Sequence, residues 1–212
     1  MGMGEITHEK IEQYFHDLLP ERDAVLSEME EQAEKRRIPI VGPAVGRLFF
    51  QLARLIGART VFEMGSAIGY STIWWARAVG ESGRVIYTDS DPANAAEARD
   101  YLRRAGVLER VEIRIGNALE LLAEESGTFD IVFNDVNKQD YPRVLPLARE
   151  RVRKGGLFVT DNTLWHGRVV EPPPHSEATR AVLEFNRALY ASIDFYTTLL
   201  PLRDGVSVAL RL

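Results

Sequence analysis

The sequence predicts one doubly wound α/β domain with a mostly parallel sheet, and three observations support that fold. Short apolar runs alternate with helical stretches from residue 60 onward. The apolar runs begin every 18 to 27 residues, which is the spacing of βα units in a parallel sheet. No internal repeat, low-complexity segment or linker interrupts this pattern. We therefore expect residues 1–212 to form a single domain.

Residues 1–56 are expected to form a helical cap on this domain. Their apolar residues recur three or four positions apart, which is typical of amphipathic helices. The first helix ends at Pro20, and the second ends before Ile38-Pro39 because the residue preceding a proline avoids the helical region. A third helix fits residues 45–56. The apolar positions of the first two helices are Ile11, Phe15, Leu18 and Leu19, followed by Val25, Met29 and Ala33.

The α/β core, residues 57–212, is predicted to contain five parallel strands and an antiparallel pair. The last two strands, 194–201 and 206–212, are joined by a turn-like Leu-Arg-Asp-Gly segment. They are expected to close one edge of the sheet as an antiparallel pair. The predicted parallel strands cover residues 60–64, 84–89, 111–116, 129–135 and 156–161, with helices at 71–79, 94–105 and 141–152.

The composition limits the classes of function that are open to this chain. Lysine and arginine total 26 against 31 aspartates and glutamates, which gives a net charge of −5 and a pI near 5.5. A surface of that sign repels phosphate backbones, so no nucleic-acid partner is expected. The absence of cysteine excludes disulfides and thiolate nucleophiles. Neither a signal peptide nor a run of roughly 18 apolar residues is present, so a cytoplasmic protein without membrane contact is expected.

A glycine-bearing turn follows the first predicted strand, in residues 63–71. Such a turn allows a ligand to approach the backbone where a helix begins. Its spacing is ExGxxxG, and Ala67 stands where the dinucleotide fingerprint has a glycine. Asp89 ends the second strand, 24 residues after Gly65, where an acidic side chain commonly binds ribose hydroxyls. The pattern indicates a nucleoside cofactor, NAD or S-adenosylmethionine, and the altered spacing favours the latter. A turn that serves packing alone is the alternative.

Polar side chains also follow the fourth and fifth predicted strands. Asp135 ends strand four, and Asp161 and Asn162 end strand five. Parallel neighbours place these ends side by side, and two carboxylates with an amide oxygen suit Mg²⁺ or Ca²⁺. Taken singly, such residues also occur as ordinary helix caps. Lys138 lies three residues after Asp135, and a nearby divalent cation disfavours its protonated form, which makes it a candidate base.

The remaining candidates carry weaker signals. The four histidines are interpreted as surface residues, and two aromatic residues are either walls of a ligand pocket or structural. The histidines are His8 and His16 on the first helix and His166 and His175 in a loop, and the aromatic residues are Tyr70 and Trp165.

At these motifs the chain resembles the cation-dependent O-methyltransferases, the family of catechol and caffeoyl-CoA O-methyltransferases, and in particular its small bacterial members. The likeness extends from about residue 39 to the C-terminus. It implies a Rossmann-like class I methyltransferase sheet, mostly parallel with an antiparallel C-terminal edge strand. The segments that carry it are 61–71, 133–138, 161–169, Phe185-Asn186 and 200–205.

The resemblance implies roles for individual residues. Lys138 matches the catalytic lysine, and Asn137 departs from the aspartate that many relatives have at that position. The metal ligands of the family fall on Asp135, Asp161 and Asn162. Its S-adenosylmethionine contacts fall on Val41, Glu63, Gly65, Ser71, Asp89, Ala118 and Asp135.

We therefore predict an S-adenosylmethionine-dependent O-methyltransferase that uses a divalent cation, Mg²⁺ with Mn²⁺ or Ca²⁺ as alternatives, on a small catechol-like acceptor. A homodimer is compatible with the resemblance, since bacterial relatives often pair. Three alternatives belong to other classes. A cation-independent methyltransferase would keep its activity in chelator, and an NAD-binding oxidoreductase would bind nicotinamide. A non-catalytic protein would bind S-adenosylmethionine without turnover.

Overall fold

The computed structural model describes residues 9–212, so the histidine at position 8 and the first residues of the predicted cap lie outside the described part. The described residues form seven strands and eight α-helices. The strands are β1 (Thr60–Met64), β2 (Arg84–Asp89), β3 (Val111–Ile115), β4 (Phe129–Asn134), β5 (Val152–Thr160), β6 (Phe195–Leu200) and β7 (Val206–Arg211). The helices are α1 (Glu9–Leu18), α2 (Ala24–Arg36), α3 (Gly42–Leu55), α4 (Tyr70–Val79), α5 (Pro92–Arg104), α6 (Ala118–Glu124), α7 (Tyr141–Arg151) and α8 (Glu177–Ala191).

The strands form one mixed sheet in the order β3-β2-β1-β4-β5-β7-β6. The first five strands in that order pair in parallel, and β7 pairs antiparallel with both β5 and β6. The order reverses between β1 and β4, and ligands of open α/β sheets bind at such a switch point, outside the carboxyl ends of the strands. The doubly wound α/β fold is thereby confirmed.

Helices cover both faces of the sheet, because alternate residues of each buried strand point to opposite faces. On one face, Phe49 of α3 stacks on Trp75 of α4 with ring centroids 4.4 Å apart, and both rings contact Phe133 of β4. On the other face, Phe185 of α8 packs edge-on against Phe158 of β5. Each such aromatic pair contributes about 0.5–1.5 kcal/mol beyond the burial of its surface. These two layers fix the carboxyl ends of the central strands.

Most predicted elements match the structure to within two residues. Four elements differ from the prediction. Residues 177–191, to which the sequence analysis assigned no element, form α8, and residues 118–124 form the short α6. Strand β5 begins at Val152, earlier than the predicted residue 156. The C-terminal strand β7 is an inner strand, and β6 forms the edge of the sheet.

The N-terminal helices differ in how they contact the core. Helix α2 is tied to α4 by an ion pair between Asp23 and Arg77 (2.6 Å) and by a hydrogen bond from the hydroxyl of Tyr70 to Glu30 (2.7 Å). Helix α1, in contrast, has exposed apolar side chains along its length. None of the helices in residues 9–212 combines the length and apolar character that crossing a bilayer requires.

Candidate active site

A cavity of about 720 Å³ opens at the carboxyl edge of the sheet, beyond the ends of β1, β2 and β4. Eight of the ten predicted site residues line it, while Glu63 and Asp161 do not. The eight are Val41, Gly65, Ser71, Asp89, Ala118, Asp135, Lys138 and Asn162. The cavity thus joins the predicted cofactor contacts to most of the predicted metal site.

The glycine turn after β1 forms one wall of the cavity. Gly65 has φ +84°, and a Cβ atom there would lie 2.5 Å from the carbonyl oxygen of Asp135. Glycine is therefore required both by the backbone conformation and by the close approach of two chain segments. The backbone N–H groups of Gly65 and Ser66 donate to the carbonyl oxygen of Thr88 at 3.1 and 3.0 Å. These bonds fix the turn against the end of β2.

Asp89 connects this turn to the start of the next helix. Its Oδ2 accepts a hydrogen bond from the backbone N–H of Ala67 (2.9 Å), and its Oδ1 accepts from the backbone of Asp91 (2.8 Å) and the side chain of Asn94 (3.2 Å). A carboxylate offers about four acceptor positions, so one remains for a ligand. The geometry is compatible with the predicted contact to a ribose hydroxyl and gives Asp89 a structural role as well.

Glu63 lies behind the turn and has no access to the cavity. It is fully buried, and its Oε2 accepts a hydrogen bond from the hydroxyl of Thr72. Burial raises the pKa of Glu63 to about 7. Within residues 9–212 its Oε1 has no hydrogen-bond partner. Its predicted contact with the polar groups of the cofactor remains a prediction.

Two aspartates lie at the opposite end of the cavity: Asp135 lines it with a side chain that is 25% exposed, whereas Asp161 is buried and does not line it. Burial raises the pKa of Asp161 to about 7, and the negative charge of Asp135 adds to the effect. The pKa of Asp135 is raised by burial, while the neighbouring Lys138 opposes that shift. Asn162, the next residue, has φ +54° and lines the cavity. The structure therefore places two mutually repelling carboxylates beside an amide.

Lys138 is held against Asp135 and two aromatic rings. Its Nζ lies 3.0 Å from Oδ1 of Asp135, and its side chain is 11% exposed. The same nitrogen lies 4.9 Å from the ring centroid of Tyr141 and 5.7 Å from that of Trp165. A cation over aromatic faces is attracted by their quadrupoles, so these rings restrict where the ammonium group can lie.

The oxygen donors fit a divalent cation in chemical type, although their set is small. Across the described part of the chain, no group of three or more histidine, cysteine, aspartate or glutamate side chains is placed to hold a metal ion. The candidate set consists of Asp135, Asp161 and the amide of Asn162. A hard cation that keeps several waters needs only a few protein oxygens. It would also offset the repulsion that raises the pKa of Asp161.

Three further residues belong to the site, and the sequence analysis missed or underrated them. Tyr141 is fully buried, and its hydroxyl donates to the carbonyl oxygen of Asp161 at 2.7 Å. His166 is 44% exposed, which agrees with its interpretation as a surface residue, and it lines the cavity beside Trp165. Burial raises the pKa of Asp135, and the negative charge of the nearby Asp204 raises it further. The available signals were the spacing of Tyr141, three residues after Lys138, and the positions of His166 and Asp204 in segments that carry the family resemblance.

The similarity of this chain to known proteins covers most of its length and is not confined to the site. A family model described as O-methyltransferase matches residues 18–212. A catechol O-methyltransferase of Niastella koreensis is 35% identical over 95% of this chain and 96% of that protein. Caffeoyl-CoA O-methyltransferase 1 of Eucalyptus globulus is 33% identical over 79% of this chain and 72% of its own length. The structure of the O-methyltransferase from Bacillus cereus in complex with SAH has a TM-score of 0.86, with 29% identity over 96% of this chain and 97% of that one.

Proposed function

Because the chain belongs to the O-methyltransferase family and is an S-adenosylmethionine-dependent O-methyltransferase of the catechol and caffeoyl-CoA type, we propose that it methylates one hydroxyl of a vicinal diol on a small aromatic acceptor with the help of a divalent cation. One observation supports the divalent cation and the aromatic acceptor in this proposal. A single cavity joins the Gly65 turn and Asp89 to Asp135, Lys138 and Asn162. The donor and the acceptor can therefore meet beside a lysine and a set of oxygen ligands.

The proposal assigns the two ends of the cavity to different ligands. The turn at Gly65, with Ser71 and Asp89, binds the methyl donor, as the resemblance implies. Asp135, Asp161 and Asn162 hold the divalent cation, since carboxylate and amide oxygens are the ligands that Mg²⁺, Mn²⁺ and Ca²⁺ prefer. When bound, S-adenosylmethionine supplies the methyl group of its sulfonium, and the cation lowers the pKa of the acceptor hydroxyl.

The protein itself contributes proton transfer and positioning. A phenol with a pKa of about 10 is mostly protonated at pH 7 and is a weak nucleophile. Lys138, held beside Asp135 at the cavity wall, takes or relays the proton of the acceptor hydroxyl. Methyl transfer also requires the acceptor oxygen to lie in line at about 3–3.5 Å from the methyl carbon. Tyr70 and Trp165 line the cavity and restrict how the aromatic ring can lie.

We expect methylated product from ortho-dihydroxyphenyl acceptors in Mg²⁺ and none in excess EDTA. The measurement is mass spectrometry of reactions with S-adenosylmethionine and a panel of acceptors, each paired with its monohydroxy analogue. The monohydroxy analogue is the matched control, because it has the same ring but cannot chelate a cation. Equal product with and without EDTA would contradict the cation. Product from both members of each pair would contradict the vicinal diol.

The proposal extends to a cytoplasmic enzyme that acts on small molecules without nucleic acid, as the net charge of −5 favours. It also includes a homodimer, for which helix α1 gives independent support. Its apolar side chains form a stripe of residues at helical spacing, and about half of each is exposed. They are Ile11 (50%), Tyr14 (60%), Phe15 (46%) and Leu18 (62%). A second copy of the chain is the occupant we propose for this stripe, because contiguous exposed apolar surface commonly marks an interface.

We expect light scattering to give a dimer of about 48 kDa, twice the 23.9 kDa of one chain, and the double variant Phe15→Glu, Leu18→Glu to give a monomer. Burying two carboxylates in an apolar interface costs more free energy than the interface gains. Ile193→Glu is the matched control, since Ile193 is 90% exposed and lies outside α1. A monomeric wild type, or a dimer that survives the double substitution, would contradict the proposed interface.

A further inference from the structure

One wall of the cavity is built from strained backbone. Asn162, Trp165 and His166 have φ values of +54°, +46° and +54°, in the left-handed region that residues other than glycine rarely adopt. All three line the cavity. Such strain persists only where surrounding contacts enforce it. The contacts that enforce it therefore determine where these side chains lie.

The turn between β6 and β7, residues 202–205, supplies those contacts. The backbone N–H of Leu164 donates to the carbonyl oxygen of Asp204 at 2.9 Å, and that of Thr163 donates to Gly205 at 3.0 Å. The carboxylate of Asp204 accepts a hydrogen bond from the backbone N–H of His166. The Asp204 side chain is only 13% exposed, so water competes little for this bond.

The same turn contacts a second part of the cavity wall. Nη1 of Arg203 donates to the carbonyl oxygen of Ile40 at 2.8 Å, and Ile40 lines the cavity. A Cβ atom on Gly42 would lie 2.4 Å from that nitrogen, so the glycine leaves room for the guanidinium group. The 202–205 turn is thereby held against two separate segments of the cavity wall, residues 163–166 and Ile40. These contacts fix the position of Asp204, whose carboxylate accepts from the backbone of His166.

We propose that Asp204 is a positioning residue for the methyl acceptor: its carboxylate holds the backbone of His166 and thereby places the side chains of Trp165 and His166 around the acceptor. This inference rests on the proposed function in assigning the acceptor to that end of the cavity. Asp204 acts as a hydrogen-bond acceptor to a neutral amide. Its other oxygen, Oδ2, is 3.7 Å from Nδ1 of His166 and has no hydrogen-bond partner in the described part of the chain.

The test compares Asp204→Ala with Asp204→Asn. The alanine variant removes the acceptor for the His166 amide, and we expect the KM for a dihydroxyphenyl acceptor to rise about tenfold or more. The asparagine variant retains an oxygen at that position, so we expect it to recover most of the wild-type KM. The dissociation constant of S-adenosylhomocysteine, measured by calorimetry, should remain unchanged in both variants, because the cofactor contacts lie elsewhere in the cavity.

Hydrogen exchange gives a second measurement that needs no acceptor. In Asp204→Ala we expect faster exchange of the amides in residues 163–167 than in the wild type, and near wild-type exchange in Asp204→Asn. If no acceptor is ever turned over, the proposed function fails while this measurement still tests Asp204. Asp130→Ala is the matched control. Asp130 is 15% exposed and accepts from the backbone N–H groups of Arg59 and Thr60, both at 2.8 Å, at the amino end of the sheet.

We expect Asp130→Ala to lower the melting temperature without changing the acceptor KM. Three results would overturn the role of Asp204. Unchanged exchange at residues 163–167 in Asp204→Ala would show that the carboxylate does not hold this backbone. A KM in Asp204→Asn as high as in Asp204→Ala would show that negative charge is what matters. An equal loss of S-adenosylhomocysteine binding would indicate general destabilisation. If Asp204→Ala does not fold, Asp204→Asn still tests the proposal against the wild type, because an acceptor KM raised about tenfold or more in Asp204→Asn would show that negative charge is what matters.

Discussion

Replacing Asp161 with alanine is expected to abolish methyl transfer and to leave the binding of S-adenosylmethionine nearly intact. The Asp161 carboxylate is buried beside Asp135 and does not line the cavity, so we expect its loss to affect the proposed cation and not the methyl donor. Charge stabilisation by a cation contributes several kcal/mol to a transition state, so kcat/KM should fall about 100-fold or more. The measurement pairs kcat/KM in saturating Mg²⁺ with calorimetric titration of S-adenosylhomocysteine.

A conservative variant makes this prediction sharper. Asp161→Asn keeps an oxygen in place but loses the negative charge, so cation affinity should fall without the site being lost. We therefore expect high Mg²⁺ concentration to restore part of the activity of Asp161→Asn and none of that of Asp161→Ala. Direct titration with Mn²⁺ should show the same order of affinities. Full activity of Asp161→Ala would remove Asp161 from the proposed metal site.

Asp89→Ala should give the opposite pattern and serves as the matched control. Losing a hydrogen bond to a charged acceptor costs about 1.5–3 kcal/mol, so S-adenosylhomocysteine should bind about ten- to one-hundredfold more weakly. The affinity for Mn²⁺ should remain near that of the wild type. Unchanged binding of S-adenosylhomocysteine would show that Asp89 only fixes the Gly65 turn through its bond to Ala67.

The sequence predicted which strand-end residues lie close together where strand order alone determines the geometry. Asp135 and Asp161 follow β4 and β5, which pair in parallel with Asn134 opposite Thr160. The ends of neighbouring parallel strands meet at one edge of a sheet, so the two carboxylates could be placed together without coordinates. The Gly65 turn was predictable for a similar reason, because a conformation that requires glycine appears directly in the sequence.

Contacts between segments that are distant in the chain could not be predicted from the sequence, because the residue types involved do not indicate their partners. The bond between His166 and Asp204 spans 38 positions, and although both residues lie in segments that carry the family resemblance, neither residue type predicts this contact. The left-handed φ angles of Trp165 and His166 are imposed by tertiary contacts against the preference of those residue types. The contact between Glu63 and the cofactor, which the resemblance implies, remains a prediction, and what the sequence did not show is the hydrogen bond that its buried carboxylate accepts from Thr72 of α4.

Lys138→Met is expected to lower kcat at pH 7 by about 100-fold or more, which is the usual contribution of a general base. Methionine keeps most of the apolar stem between Tyr141 and Trp165 but can carry no proton. The loss should shrink as the pH approaches the pKa of the cation-bound acceptor hydroxyl, which lies below the value of about 10 for a free phenol, since hydroxide then removes the proton. A more acidic catechol should reduce the loss at pH 7 for the same reason. The measurement is kcat against pH for both acceptors.

The variant Lys138→Arg distinguishes a role of Lys138 in proton transfer from a role that requires only its positive charge. Arginine can keep the ion pair with Asp135, but its guanidinium group stays protonated at every accessible pH. If Lys138 moves the proton, the arginine variant should be as slow as the methionine variant at pH 7. If Lys138 supplies only positive charge, the arginine variant should recover most of the activity, and the loss in Lys138→Met should be constant with pH. Lys154→Met, at an exposed position on β5, is the control and should match the wild type throughout.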